Sequence, residues 1–294
     1  MNDLMSLTKR HVLNFLRDKT AVFFSFLSII ILLALYFLFI GKQYTSDTGL
    51  AMLTSAEKTY ITAGIMMGGV LVINTVSLSL GIMGNIITDL EYKKLDAFLV
   101  TPIKRYKIIL SYYLSSILVT SVLSIFMWLL TVIYVGLTTS FWYSPIIIIQ
   151  VSLILMLFTL ISASLMIFLV TLLKSVNAFG TLSGILGTFI GFVSGIYMPL
   201  AILGGSMKYV ASLVPFTHMA IILKQVLLKG PYELMIEKGV PLEAMAEIKV
   251  IYGSEEIGIL GLDVSMTIIM ITCFMLSFLL LYLAYRNMTR KMGK

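Results

Sequence analysis

GIMGNIITDLEYKKLDAFLVTPIKRYK, residues 81–107, is the only long charged interruption in the first two-thirds of a very apolar chain. Apolar runs of membrane-spanning length flank it on both sides. Its charges are Asp89, Glu91, Lys93, Lys94, Asp96, Lys104, Arg105 and Lys107, and between them sit Ile86, Ile87, Leu90, Leu95, Phe98 and Leu99. Positions 87, 90, 95 and 98 are apolar at helical spacing, which predicts a short amphipathic helix over 85–101. Pro102 ends it, because proline has no N–H to donate and disfavours helix in the residue before it. Two readings follow from the pattern. One is a solvated loop carrying a positive-inside cluster. The other is a docking helix at the membrane surface, gripped by a cytoplasmic partner.

The composition decides the class. The chain has 294 residues, 59% of them hydrophobic and only 12% charged, where a soluble domain carries about 25% charge. That describes an all-α integral membrane protein. The net charge of +7 then reports orientation rather than nucleic-acid binding. The single cysteine, Cys273, lies in an apolar run and excludes an intrachain disulfide. Residues 1–19 do not resemble a cleavable signal, since they are polar and amphipathic and the apolar run after them is too long for a signal core.

Within 1–19, Leu4, Leu7, His11, Val12, Phe15 and Leu16 fall on one helical stripe, edged by Lys9, Arg10, Arg17 and Lys19. This reads either as an interfacial helix with an apolar underside or as the basic flank of a first span. Six spans are predicted, at about 20–41, 60–83, 107–136, 145–173, 176–200 and 263–285, each near the roughly 20 residues a bilayer requires. None has an ionised side chain in its centre, whereas proton- and ion-coupled carriers need buried carboxylates or histidines. With both termini placed in the cytoplasm, two thirds of the lysines and arginines lie inside, as the positive-inside rule expects.

The fifth span has two rows of small residues, Gly180, Gly184 and Thr188 on one and Gly187, Gly191 and Gly195 on the other. Small residues four apart let another helix approach closely. That helix could belong to the same subunit, to a second subunit, or to the wall of a pathway. Polar residues predicted to face a substrate path are Asn74 and Ser77 in the second span and Thr181 and Ser194 in the fifth. Asn74 packing against a neighbouring span is the alternative. Pro199 ends the fifth span. Residues 200–230 remain apolar but are broken by Gly204-Gly205 and Pro215, which suggests a re-entrant or interfacial helix pair. The acidic stretch 231–262 reads as a small extracellular cap.

Catalytic motifs are missing. There is no G-x-x-x-x-G-K-[ST] phosphate loop and no H-E-x-x-H. His11 and His218 lie on opposite predicted membrane faces, so a metal site built from them is not expected. No nucleophile-and-base grouping is present, and His218 beside Pro215 reads as a turn or interfacial histidine rather than a catalytic base.

Over its whole length the chain resembles the membrane permease subunit of an ABC-2 type ATP-binding-cassette exporter. The resemblance rests on the order of elements and on two motifs. Asp89-Leu90-Glu91-Tyr92-Lys93-Lys94-Leu95-Asp96-Ala97-Phe98-Leu99-Val100-Thr101-Pro102 is similar to the family's "acid-Arg-Glu-x-Gly-Thr-Leu-Glu-x-Leu-Leu-x-x-Pro" loop. Leu90 stands where Arg is usual, and Lys93-Lys94 where Gly-Thr is usual. Tyr197-Met198-Pro199 with Leu213-Val214-Pro215-Phe216-Thr217-His218 resembles the family's re-entrant region.

The resemblance implies one transmembrane permease domain, 1–294, with 1–19 as connecting helix, 84–106 as coupling-helix loop and 201–262 as re-entrant and extracellular segment. It implies two permease copies, as a homodimer or related heterodimer, and a separate ATPase subunit that binds the ATP and Mg. The chain itself would bind no cofactor and no metal. Asp89, Glu91, Leu95, Asp96, Phe98 and Leu99 would contact the ATPase. The protein would sit among lipid in the plasma membrane as a multi-pass protein with both termini cytoplasmic, and would bind no nucleic acid. An amphiphilic or hydrophobic cargo such as a drug, peptide toxin, pigment or lipid-like molecule fits the apolar, Met-rich spans. The alternatives are a permease for a glycan or for sodium export, an ion-coupled carrier, and a membrane enzyme or scaffold.

Overall fold

The computed structural model describes residues 2–35, 53–193, 195 and 205–291. Among the described residues the regular elements are helices, apart from one isolated bridge between Ile259 and Leu262. The helices are α1 (Asn2–Arg17), α2 (Lys19–Leu35), α3 (Ser55–Glu91), α4 (Asp96–Leu99), α5 (Arg105–Thr139) and α6 (Pro145–Leu172). They continue as α7 (Val176–Val193), α8 (Gly205–Ser212), α9 (Pro215–Leu227), α10 (Lys229–Glu237), α11 (Leu242–Tyr252) and α12 (Met266–Lys291). Five of these, α3, α5, α6, α7 and α12, are long and apolar enough to cross a membrane. The remaining expected span, 20–41, is present as α2 up to Leu35, and its end lies outside the described residues.

Helix α3 is the axis of the bundle. A capping box starts it: Glu57 N–H donates to Thr54 Oγ1 at 3.3 Å, and Thr54 N–H donates to Glu57 Oε2 at 2.7 Å. Its 37 residues extend about 55 Å, well beyond a hydrocarbon layer of about 30 Å. This corrects the expected boundaries 60–83. Residues 84–91, with Asn85, Thr88, Asp89 and Glu91, are its own last turns.

The partners of α3 are α5, α6, α7 and α9. Hydroxyl and amide groups bond across the seams. Asn74 Nδ2 donates to Ser124 Oγ at 3.2 Å, Thr75 meets Ser162 at 3.1 Å, and Ser79 donates to Thr120 at 3.4 Å. On the next seam Ser121 meets Thr159 at 2.7 Å and Tyr113 meets Ser164 at 2.9 Å. In lipid the apolar effect does not favour helix contact over lipid contact, so such bonds and close packing hold the bundle.

The α3–α9 seam depends on two glycines. A Cβ at Gly68 would stand 3.0 Å from the Lys224 backbone nitrogen, and one at Gly64 would stand 2.9 Å from Leu228 Cδ2. Residues 205–227 form two short helices, α8 and α9, with Pro215 in the first turn of α9, where the missing N–H costs nothing. At the α3 start, Tyr60 stacks on Phe141 at 5.2 Å and Tyr143 packs edge-on against Trp128 at 5.1 Å. These rings fix the α5–α6 connection. The Lys291 ammonium donates to the Leu173 carbonyl at the end of α6, a favourable place for a cation.

Candidate functional site

Two features of the bundle can do work: a polar junction at the end of α3, and a groove between α3 and α7.

The junction joins α1, α3, α4 and α5. Helix α1 buries Leu7, His11 and Phe15, one residue every four, as the sequence stripe predicts; Leu16 is exposed instead. Arg10 reaches Asp89 at 3.4 Å and its guanidinium lies 4.9 Å over the Phe98 ring. Tyr112 of α5 donates its hydroxyl to the same Asp89 oxygen at 2.6 Å. His11 stacks on the Tyr112 ring at 3.8 Å. Burial, and then the neighbouring Arg10 charge, push His11 from 6.5 down to about 4, so the imidazole is neutral at ordinary pH. At the rim, Lys107 pairs with Asp3 at 2.7 Å, and that hydrogen bond and charge hold the Asp3 carboxyl below its usual range.

This geometry corrects the expected single helix over 85–101. Helix α3 ends at Glu91, and Lys93 takes a left-handed backbone with φ of 54°. The Leu95 N–H folds back to the Asp89 carbonyl at 3.2 Å. Only Asp96–Leu99 is helical after the turn. Thr101 Oγ1 bonds the Phe98 carbonyl at 2.6 Å and helps close the segment ahead of Pro102.

The break redistributes the six residues expected to form an exposed contact face. Asp89 is 5% exposed and Leu95 2%, so both face this chain's own interior. A carboxylate buried there is tolerated because Arg10 and Tyr112 satisfy it. Phe98 is half-buried under Arg10. Glu91 is exposed, and its Oε2 accepts the Val176 N–H at 2.6 Å, an anion at the start of α7 where the helix dipole favours it. Asp96 is exposed and Leu99 closes α4. Tyr92 and Val100, which pattern reading missed, are 67% and 88% exposed. With Lys93, Lys94 and Asp96 they form the outer surface of the turn. The signal was present in the Lys93-Lys94 pair, but a straight helical wheel hides the break.

The groove is bounded by α3 and α7. Its inner part, about 160 Å³, is lined by Ser77, Gly81, Phe179, Ser183, Leu186 and Gly187 among others. A second hollow of about 230 Å³ shares Gly81 and Phe179 with it and opens among Asn14, Asp18, Asn85 and Thr88. The groove therefore has a polar mouth and a shaft of apolar and hydroxyl groups. Asp18 also accepts the Ala21 N–H at 2.9 Å, starting α2 beside the mouth.

The residues expected to line a path divide. Ser77 lies in the groove. Thr181 is exposed on α7 and donates to its own helix, at the Asn177 carbonyl 3.1 Å away. Asn74 is buried against Ser124, the packing alternative. Ser194 and Pro199 lie outside the described residues. Gly180 and Gly184 of the first row and Gly187 of the second have open space where a Cβ would stand, so among the described residues nothing packs on them. Gly191 is buried, and Gly195 has φ of 68°. His218 is buried and bonds the Ser212 carbonyl through Nε2 at 2.8 Å. A carbonyl only accepts, so that nitrogen carries the proton. His218 closes the α8–α9 turn rather than presenting a base.

An all-helical, multi-pass membrane protein with a grooved span, a polar turn and no phosphate-cradling loop is organised like the membrane part of a transporter. The family model for ABC-2 type transporters matches residues 2–228, and the chain belongs to that family as a membrane permease subunit. Permeases of this kind pair with an ATPase subunit. No curated protein matches the chain.

Proposed function

We propose that this permease moves an amphiphilic or hydrophobic compound, such as a drug, peptide toxin or lipid-like molecule, out of the cell, driven by a separate ATPase subunit that binds ATP and Mg. Two permease copies face each other across α3 and α7, with both termini in the cytoplasm of a plasma-membrane protein. The observation that carries the reading is the α3–α7 groove, polar at the mouth and apolar with hydroxyls along the shaft. A cargo with one polar and one apolar part matches that order of surfaces.

The turn at 92–100 is the part of the chain placed to receive force. Tyr92, Lys93, Lys94, Asp96 and Val100 stand outward, while Asp89 and Leu95 root the turn in the bundle. A push on the turn is transmitted through Glu91 to the start of α7 and through Arg10 to α1. Both sides of the groove then move relative to one another. Alternating access by this route needs no titratable group in the membrane centre.

The test is export by the permease reconstituted with its ATPase. Ser77→Trp and Gly187→Trp, which fill the shaft, should abolish or change cargo export while assembly persists. Unchanged export in both variants, across a panel of amphiphiles, overturns the groove as the path.

A further inference from the structure

We infer that the cavity between α2, α3 and α5 binds one acyl chain of a bilayer phospholipid, in the leaflet away from α4. The cavity holds about 510 Å³ and is lined by ten side chains from those three helices. It is separate from the α3–α7 groove and shares no residue with it, so the inference does not depend on the cargo reading.

Its position places it in hydrocarbon. Ala63, Met66 and Met67 lie two to three turns into α3, and Thr131 and Tyr134 lie one to two turns before the end of α5. The outward face of α5 is an exposed apolar stripe at helical spacing: Leu118, Val122, Phe126, Leu130, Ile133 and Leu137. In a membrane that stripe contacts lipid tails. Phe126 and Leu130 belong both to the stripe and to the cavity lining, so among the described residues the cavity is continuous with the lipid-facing stripe.

Its chemistry admits a hydrocarbon and little else. Phe26 and Phe126 meet edge to face at 6.1 Å among the lining rings. The Thr131 hydroxyl donates to its own helix, at the Met127 carbonyl 3.0 Å away, and makes no demand on an occupant. The lining carries just two hydroxyls, those of Thr131 and Tyr134, too few partners to hold water, and a void forfeits the dispersion contacts of its walls. The volume lies in the range of single small-ligand sites, about 300–1,000 Å³, which suits one chain rather than a two-chained body. Met66 and Met67 give the wall unbranched thioethers that adapt to a flexible tail. Tyr134 lies among the last turns of α5, 44% exposed, as an aromatic ring at the headgroup level does.

The exposed apolar face of α12, with Ile271, Met275 and Leu279, supplies the internal control, since those residues line none of the three cavities described here. The experiment uses the full chain in nanodiscs of phosphatidylethanolamine and phosphatidylglycerol doped with a phospholipid bearing a diazirine on one acyl chain. After photolysis, adducts are mapped by peptide mass spectrometry. The expected result is at least fivefold more adduct on Met66, Met67 and Phe126 together than on Ile271, Met275 and Leu279. Ile30→Trp and Leu130→Trp, both at exposed lining positions, should bring the cavity signal down to the α12 level in monodisperse protein. Equal labelling of the two faces, or cavity labelling unchanged by both tryptophans, overturns the site. So does cavity labelling that a soluble amphiphile displaces while phospholipid without the diazirine does not, because that outcome assigns the cavity to cargo.

Discussion

Helices α3 and α7 each carry a pair of glycines four apart, Gly64 and Gly68 on one and Gly180 and Gly184 on the other, and the two pairs do opposite things. On α3 the pair is in contact with α9: a Cβ at either position would press on Leu228 or the Lys224 backbone. On α7 the pair faces open space among the described residues. Along its apolar stretch α3 is mostly buried, whereas α7 is mostly exposed among the described residues. The same spacing thus marks a seam inside the subunit in one case and an uncovered face in the other. A small-residue row states that a helix is able to approach closely; the surrounding chain decides whether one does.

The largest effect should come from α3. Gly68→Leu forces a branched side chain into the α9 backbone, and overpacking of this kind costs about 1–3 kcal/mol or more. The expected outcome is a fall in thermal midpoint and in monodisperse yield, read by fluorescence-detected size exclusion. Wild-type behaviour would dissolve the contrast between the two helices at its strongest point.

Next comes the foot of α3. Asp89→Asn leaves Arg10 and Tyr112 facing a neutral amide, and hydrogen bonds to a charged group are worth about 1.5–3 kcal/mol. Destabilisation of that size is expected in urea or thermal unfolding, with Tyr112→Phe giving a smaller loss. If Asp89→Asn is as stable as wild type, the junction does not anchor the turn.

The same junction should make stability pH-dependent. The folded pKa of His11 is depressed to about 4 from 6.5, so the unfolded chain takes up the proton first as pH falls. Stability from this group is complete above pH 6.5 and declines as pH drops toward 4. At one pH unit to about 1.4 kcal/mol, the loss near pH 5 is about 2 kcal/mol. His11→Gln should remove that part of the acid sensitivity in midpoints measured from pH 7 to 4. An unchanged acid slope would mean His11 is not buried neutral.

The smallest effect on folding should come from α7. Gly184→Leu points into open space and, like most surface changes, should shift stability by no more than about 0.5 kcal/mol. If a second copy faces α7, the same variant should still lower the dimer fraction in mass photometry and reduce export. A normal dimer with normal export would leave the open face of α7 without the proposed partner.

Where an element depends on local composition, sequence reading worked. Positions of α5 and α6 follow from apolar runs, caps and prolines: Ser144 caps α6 with Pro145 in its first turn, whereas α12 runs on to Lys291, past the expected end at 285. The amphipathic α1 followed from an i, i+4 stripe. The reading failed where a residue's fate depends on distant partners. Asp89 looks exposed on a helical wheel, yet its burial is set by Tyr112 from the next span and by Arg10, 79 positions earlier. Asn74 is an expensive group in lipid wherever it points, and only the position of Ser124 decided that it points into a seam.

By itself, the sequence determined that this is a helical membrane protein and where its apolar spans and polar turns fall, because hydrocarbon demands internally bonded backbone and long apolar runs. It also carries the family, shown by the match of the ABC-2 type transporter model over residues 2–228. Only the tertiary structure decided that the motif is a helix end, a turn and one further helical turn, which of its residues stand outward, and which glycine row is packed. Those outcomes depend on side chains brought together from far along the chain, and helical periodicity reports which residues share a face but not what that face meets.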